Sequence, residues 1–555
     1  MPAADARVTD ALSAAVVRVW ARLAAGALSR ESRAINDVNV FPVADGDTGT
    51  NMSLTAREGA RAVAAAQDDA GPAALLRRLA RGALLGARGN SGVILSEWLR
   101  GLAIAATRGE TLARALDVAA GSARSAVAHP QHGTILTAAD VAAAAAHDTA
   151  ASPGASADDV LEAAVRGARE AALSSVATLA PLARAGVLDA GACGLVLVLD
   201  ALRAARALVL DQVPHGGVVG VSVATTTMLA VTPVTLGLDL TGHPTDADVV
   251  DDLEAHLDGH EQSDADELEV MFVLRRRAGA TEYAPGEVAG ALRTDLAAVG
   301  GSVVVVGGAA EPGSAEDSAW QAHVHTPDLP AAIAVAERWA ARGVVEPLHV
   351  RHLAVPDGDL TVIAAMAAPA LAAELARAGA AVLVGVPPAG ITPLDLASAA
   401  LETARRTSLV LGPDPAAVRA EVARLQAEPD GLQEDALRGD SGQEVVVLDA
   451  PTDAHTAVVV AALAAAEDDP HADLVDAATS ALAALRTAEA PAAGAVAALE
   501  TLLADGGEVV TALADDDVSD AVTEALDRTA AEAGAECVVL RTGRQGMSVG
   551  IGVEG

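Results

Sequence analysis

Asn39-Val-Phe-Pro-Val-Ala-Asp-Gly-Asp-Thr-Gly-Thr-Asn-Met52 sets three hard oxygen donors, Asn39, Asp45 and Asp47, in a turn-rich stretch with two glycines and a proline. Gly46 lets the backbone turn so that Asp45 and Asp47 converge. Converging carboxylates repel unless a cation lies between them, and Mg²⁺ is the usual cation where carboxylates meet phosphates. Thr48, Gly49, Thr50 and Asn51 follow with two hydroxyls, an amide and backbone N–H groups, where a helix can begin. A helix start is a natural phosphate site. The chain carries its own control, Asp357-Gly-Asp359, which runs into Leu-Thr-Val-Ile and reads as a plain turn before a strand.

Around the first loop the apolar spacing is helical. Leu12, Val16, Val19 and Leu23 recur at that period, and similar patterns cover 54–66, 72–86, 92–107, 110–127, 136–148, 157–180 and 193–208. Residues 1–211 therefore read as an all-α domain whose loops carry the polar motifs. Strand runs begin later, at Glu269–Leu274, Ser302–Val306 and Ala322–His325, with helical patterns at 286–298 and 330–342. Residues 212–345 read as an α/β domain. Residues 346–555 read as a second one, with strands near Leu360–Ala365, Ala381–Val384, Ser408–Leu411, Glu444–Leu448, Glu508–Ala512 and Cys537–Leu540. Alternation with Ala-rich helices there predicts a mostly parallel sheet.

Bulk composition excludes several classes. The chain has 555 residues and a net charge of −38, which makes nucleic acid and anionic membrane surfaces poor partners. It contains no Lys, so its 37 basic residues are all Arg. A Walker A loop, a protein-kinase strand Lys and a Schiff-base Lys are thereby ruled out. Cys193 and Cys537 stand far apart and suit a reducing cytosol. The uncharged stretch Val213–Leu238 holds Pro, Thr and Gly and reads as linker plus strand rather than a membrane span.

Three further loops bear chemistry. Gly86-Ala-Arg-Gly-Asn-Ser-Gly92 fits a loop that presses N–H groups on phosphate, with Arg88 adding charge and Ser91 a hydroxyl, or an ordinary glycine-rich connection. His132-Gly-Thr-Ile-Leu-Thr137 opens a helix, where Thr134 fits a cap. In Gly186-Val-Leu-Asp-Ala-Gly-Ala-Cys-Gly194, Asp189 either caps the next helix or faces a nucleotide, and Cys193 reads as a packing residue. His323 and His325 share one face of a strand, but the sequence names no clear third ligand, with Glu269 only a guess.

In order and spacing these motifs resemble the ATP-binding subunit of bacterial fatty acid kinase. Its N-terminal domain is similar to the L subunit of dihydroxyacetone kinase, a DhaL-type barrel of antiparallel helices. The resemblance implies that loops hold ATP with two Mg²⁺. Asn39, Asp45 and Asp47 would be the metal ligands, with Asp45 and Asp47 the catalytic pair. Thr48, Gly49, Thr50, Asn51, Arg88, Gly89, Asn90, Ser91, Gly92, Thr134, Asp189, Ala190 and Gly191 would border the nucleotide. It further implies a DegV-like C-terminal domain, a homodimer and a cytoplasmic setting. The reaction would move the γ-phosphate of ATP to a fatty acid carboxylate presented by a separate DegV-like carrier, giving acyl phosphate for phospholipid synthesis.

The chain departs from that pattern in places. Ala44 replaces a usual Pro, His132 a common Glu, and Asp189-Ala-Gly-Ala-Cys-Gly194 a commoner Asp-Ser-Gly-Gly-Gln-Gly. The Cys that can join the His-x-His pair on a metal is absent, so tightly bound Zn²⁺ is not expected. Two other readings stand: a kinase subunit for dihydroxyacetone or another small carbonyl, and a non-catalytic nucleotide-binding scaffold.

Overall fold

A computed structural model describes residues 6–41, 46–127, 130–211, 235–238, 240, 267–276, 285–308, 318–353, 360–403, 406–427, 444–466 and 473–555. Asp45, the triplet Asp357-Gly-Asp359 and most of the stretch Val213–Leu238 lie outside these residues.

The first half is helical: α1 (Val8–Ala11), α2 (Ala14–Asp37), α3 (Thr48–Ala64), α4 (Pro72–Leu85), α5 (Gly89–Arg108), α6 (Leu112–Ala126), α7 (Ile135–Ala150), α8 (Ala157–Ser174), α9 (Ala180–Ala185) and α10 (Ala190–Asp211). Local chemistry starts these helices. Ser13 accepts the Val16 N–H at the head of α2, and Ser156 with Asp159 forms a reciprocal cap on α8. In α2 Val16, Trp20, Ala24 and Leu28 recur on one buried stripe. The Trp20 indole donates to the Val198 carbonyl at 3.0 Å and ties α2 to α10. From α2 to α8 each helix packs on the next, and α10 packs on both α8 and α2, so the ring closes. The alanine-rich faces allow this close approach. Among the described residues no helix is long and apolar enough to cross a membrane.

The second half is built on strands β1 (Leu268–Arg276), β2 (Gly301–Gly308), β3 (Ser318–Thr326), β4 (Val344–Val345), β5 (Leu348–His352), β6 (Leu360–Met366), β7 (Ala381–Val384), β8 (Thr407–Gly412) and β9 (Glu444–Asp449). They form one sheet in the order β2-β3-β1-β5-β7-β6-β8-β9, with β4 beside β1. The boundary expected at 345/346 thus falls inside a continuous sheet: β5 pairs antiparallel with β1 on one side and with β7 on the other. The strands expected in residues 346–555 do pair parallel with one another, as predicted, but they are divided between two sheets, and the first of these is mixed because strands from before residue 346 join it. The β7-β6-β8-β9 end is parallel and the β2-β3-β1-β5-β7 end antiparallel. A second sheet, β10 (Arg486–Pro491), β11 (Val509–Ala514), β12 (Glu536–Arg541) and β13 (Ser548–Glu554), runs β10-β13-β11-β12 and has its own apolar core.

The two faces of the large sheet differ. Leu268, Val270, Phe272, Val324, Leu348 and Val350 point into a core shared with helices 329–340, 369–377 and 453–466. On the opposite face, Ile363, Leu383 and Val410 are covered by helices 393–401 and 415–427. Nearer β2, β3 and β1 that face is covered by the helical half: Met271, Val304 and Val306 pack on Leu84, Ala87, Val93 and Ala126. A cleft remains between the two covers.

Candidate active site at four helix starts

Helices α3, α5, α7 and α10 begin at one end of the ring. Thr48 at the start of α3 lies 3.2 Å from the Ser91 hydroxyl in α5. A side chain at Gly194, early in α10, would meet Met52 of α3 within 2.4 Å. The Asp189 carboxylate accepts the Ala192 N–H at 2.7 Å and also bonds the Ile135 backbone at the head of α7. Four positive macrodipole ends therefore lie at one end of the ring, and those of α3 and α5 flank one recess, a setting for a phosphate-bearing anion.

The first loop is held by a residue that the sequence did not single out. Asn36 of α2 accepts the Gly49 and Thr50 N–H groups at 2.8 and 3.1 Å and donates to the Thr50 hydroxyl at 2.9 Å. Gly49 is pressed on α2, where a Cβ would lie 2.2 Å from the Ser32 carbonyl oxygen. With Asn36 holding the helix start, the Asp47 side chain makes no capping bond to α3. Thr48 donates to the buried Asn39 amide oxygen at 2.9 Å. Gly89 has a left-handed φ of +56°, and a Cβ there would stand 2.2 Å from the Asn51 amide nitrogen. The Asn90 amide oxygen is buried without a hydrogen-bond partner. Asn39, Asp47, Thr48, Asn51, Gly89, Asn90 and Ser91 line one small recess.

Other expected site residues do not line it. Thr134 caps its own helix, accepting the Leu136 N–H at 3.3 Å. Asp189 is buried and joins the heads of α7 and α10, with Ala190 and Gly191 packed beside it; burial pushes its carboxyl up to about 7 against the pull of three backbone N–H groups. Cys193 is fully buried, and burial pushes its thiol up, which suits packing rather than nucleophilic attack. Gly92 is a close-packing position, since a Cβ would reach Thr55 Oγ1 at 2.3 Å. Arg88 turns away to grip Glu402 through Nε at 2.6 Å and Nη2 at 2.5 Å.

The recess has a second wall, from the sheet. Register sets Arg351 opposite Glu269 and Glu269 opposite His325, with His349, Met271 and His323 in the next row of the same face. Met271 sulfur accepts the Gly89 N–H at 3.3 Å, and Gln321 donates to the Ala87 carbonyl at 2.9 Å. Glu269, His325 and Arg351 complete the lining of the recess. Arg351 pairs with Asp47 through Nη1 and with Glu269 through Nε. Burial raises the Glu269 pKa, but the guanidinium overrides it and holds the carboxyl below its usual range. Beyond Asp47 the recess opens into the cleft, a cavity of about 280 Å³ between Leu54, Met271, Ile363, Leu383 and Ala399.

The expectation of no tightly bound metal at His323 and His325 rested on a missing third ligand, and Glu269 supplies it. Donor atoms of Glu269, His323 and His325 lie within 4.8 Å of one another. His323 is fully buried, burial lowers its pKa to about 3, and neither ring nitrogen has a hydrogen-bond partner. A neutral imidazole with unsatisfied nitrogens beside a carboxylate fits Zn²⁺ or a similar divalent ion. Elemental analysis is expected to find about one equivalent per chain, lost in the His323→Ala/His325→Ala double variant. Absence of metal from protein purified without chelator would refute the assignment.

The Arg88–Glu402 pair joins the two halves with each side chain about one-fifth exposed, at 21%. Glu402→Ala leaves the mostly buried guanidinium without its carboxylate, at a cost of roughly 3 kcal/mol, the low end for a buried pair. A lowered Tm and faster proteolysis between the halves are expected; an unchanged Tm would show that the pair adds nothing.

A family profile described as the DAK2 domain matches residues 42–204. Protein YloV of Bacillus subtilis is 38% identical over 180 residues, which cover 31% of this chain and 32% of that protein. The protein SSP1546 of Staphylococcus saprophyticus is 37% identical over 180 residues, with the same coverage of 31% and 32%. The match thus spans about a third of the length of these relatives. Among solved structures, the dihydroxyacetone kinase from C. freundii in complex with AMP-PNP and Mg²⁺ aligns at 20% identity and a TM-score of 0.27, covering 34% of this chain and 33% of that one. The similarity to DAK2 domains spans residues 42–204, and with them all four converging helix starts.

Proposed function

We propose that the protein is an ATP- and Mg²⁺-dependent phosphotransferase that phosphorylates the carboxylate of a fatty acid presented by a separate DegV-like carrier, giving acyl phosphate. The observation that carries the phosphotransferase reading is the recess itself. It combines an oxygen-only donor set, Asn39, Asp47 and Thr48, with Gly89, Asn90 and Ser91 at the start of α5 and the unpartnered Asn90 amide oxygen. That donor set fits Mg²⁺, with Asp45 as the expected further ligand, and two ions are expected. Mg²⁺ bound there supplies charge neutralisation for the β- and γ-phosphates. Thr48, oriented by Asn39, and Ser91 face each other and align the phosphate chain. The start of α5 holds the departing oxygens.

A carboxylate acceptor suits such a site. It is already ionised, so its oxygen attacks the γ-phosphorus while the bond to the bridging oxygen breaks and ADP leaves, with no proton to remove. Phosphoryl transfer of this kind asks for positioning and charge neutralisation more than covalent chemistry. The α/β half fits a docking and dimer role, in a cytoplasmic setting that the acidic, cysteine-poor chain supports. The DAK2 similarity also supports a second reading, a small carbonyl such as dihydroxyacetone as acceptor. ADP release measured with acyl-loaded carrier, with dihydroxyacetone and with neither separates them. At least tenfold stimulation by loaded carrier alone is expected; stimulation by dihydroxyacetone alone establishes the second reading, and none with either leaves a scaffold.

A further inference from the structure

We infer that Arg351 is a catalytic residue supplied in cis by the sheet, which contacts the phosphoryl group in transit; this rests on the phosphotransferase reading above. The recess and the cleft share five lining residues, Asp47, Asn51, Gly89, Glu269 and Arg351. These form the neck between a donor held at the helix starts and an acceptor entering from the cleft. Arg351 is the cation among the five, and Asp47 and Glu269 are anions. A phosphoryl group carries negative charge through this neck; Mg²⁺ on Asp47 would offset one carboxylate, and Arg351, which pairs with both, is the protein's own cation there.

Arg351 is well built for the task. A guanidinium keeps its charge at any working pH and presents a planar fork of donors that matches phosphate oxygens. Its Nε is fixed by Glu269 on the neighbouring strand, which makes Glu269 a positioning residue. Arg351 sits on β5, paired with Glu269 of β1 and next to Val350, which pairs with β7, so the group is delivered by a sheet strand rather than a loop. Its side chain remains 29% exposed toward the neck and can reach a ligand there. In the transfer, the acceptor oxygen bonds to the γ-phosphorus as the bridging P–O bond breaks, and Arg351 neutralises charge spread over the three equatorial oxygens. Atoms balance as ATP plus acceptor to ADP plus phosphorylated acceptor.

The test compares the full-length wild type with Arg351→Gln and Arg351→Lys. Calorimetry in Mg²⁺ would use ADP with beryllium fluoride, a ground-state mimic, and ADP with aluminium fluoride, a transition-state mimic. Arg351→Gln is expected to lose at least 30-fold in aluminium fluoride affinity and to stay within threefold for beryllium fluoride, with Arg351→Lys between. Turnover should fall at least 100-fold in the Gln variant. Equal losses for both mimics, or none, would overturn the assignment. Gln321→Ala removes the bond to the Ala87 carbonyl, so it loosens the same contact of the halves from outside both cavities, and it should leave the ratio of the two affinities unchanged; if it lowers the ratio as Arg351→Gln does, loosened docking is the cause and Arg351 is not catalytic. A wild type that fails to bind ADP·Mg²⁺ at all removes the phosphotransferase reading, and the role of Arg351 with it.

Discussion

Asp47→Ala is expected to abolish phosphoryl transfer, a fall of at least 1000-fold or about 4 kcal/mol in barrier terms, while the fold survives. The carboxylate lies in the recess beside Asn39 and Thr48, so its loss removes an expected Mg²⁺ ligand. Stability is spared because Asn36, not Asp47, holds the first N–H groups of α3. Asp45→Ala carries the same expectation from the sequence. The matched control is Asp357→Ala in the second Asp-Gly-Asp triplet, which should leave activity within a few-fold. A coupled assay for ADP and a thermal melt on each variant provide the check. If Asp357→Ala is as inactive as Asp47→Ala, the two triplets have been assigned the wrong way.

Truncation after residue 211 is the second large effect. Every helix start lies in the retained part, so ATP·Mg²⁺ affinity should persist. Turnover with acyl-loaded carrier should fall well over tenfold, above about 1.4 kcal/mol. Carrier docking would be lost with the α/β half, and so would Glu269, His325 and Arg351 from the recess wall. The cut also exposes Leu84, Ala87, Val93 and Ala126, which the sheet covers in the whole chain, so the fragment should self-associate more than its parent. Calorimetry, a kinase assay and light scattering on one preparation address all three. Full turnover by the fragment would confine the α/β half to regulation, whereas lost ATP binding would mean that the helical half does not hold the nucleotide alone.

Much of this was legible because the signals are local. The helices of residues 1–211 follow from apolar period and caps, and the expected patterns from 54 onward end within six residues of the observed helices, as for 54–66 against Thr48–Ala64. Strands rich in Val, such as Ser302–Val306, were equally plain. Leu348–His352 was missed, although Leu348, His349, Val350 and Arg351 alternate apolar and polar, because the run is short and follows a Pro. That omission hid Arg351 and the continuity of the sheet across 345/346. The facing of His325 onto the first loop could not be read either, since it depends on packing between halves separated by over 250 residues of chain. Arg88 shows the same limit: its spacing in a glycine loop suggested phosphate, and only the fold brings Glu402 to it.

The closed ring of helices also sets an order of assembly during synthesis. Most of its packing is between helices close in sequence, and α10 closes it by returning to α2, so it can fold as soon as α10 leaves the ribosome. The wall that faces its polar end depends on β5, which must insert between β1 and β7 and so waits for residue 384 to emerge. A nascent chain therefore passes through a stage with all four helix starts in place and no Arg351 beside them. Ribosome-stalled chains ending between about residues 250 and 340 should resist protease over α2–α10 yet remain inactive, and activity should appear only in longer products.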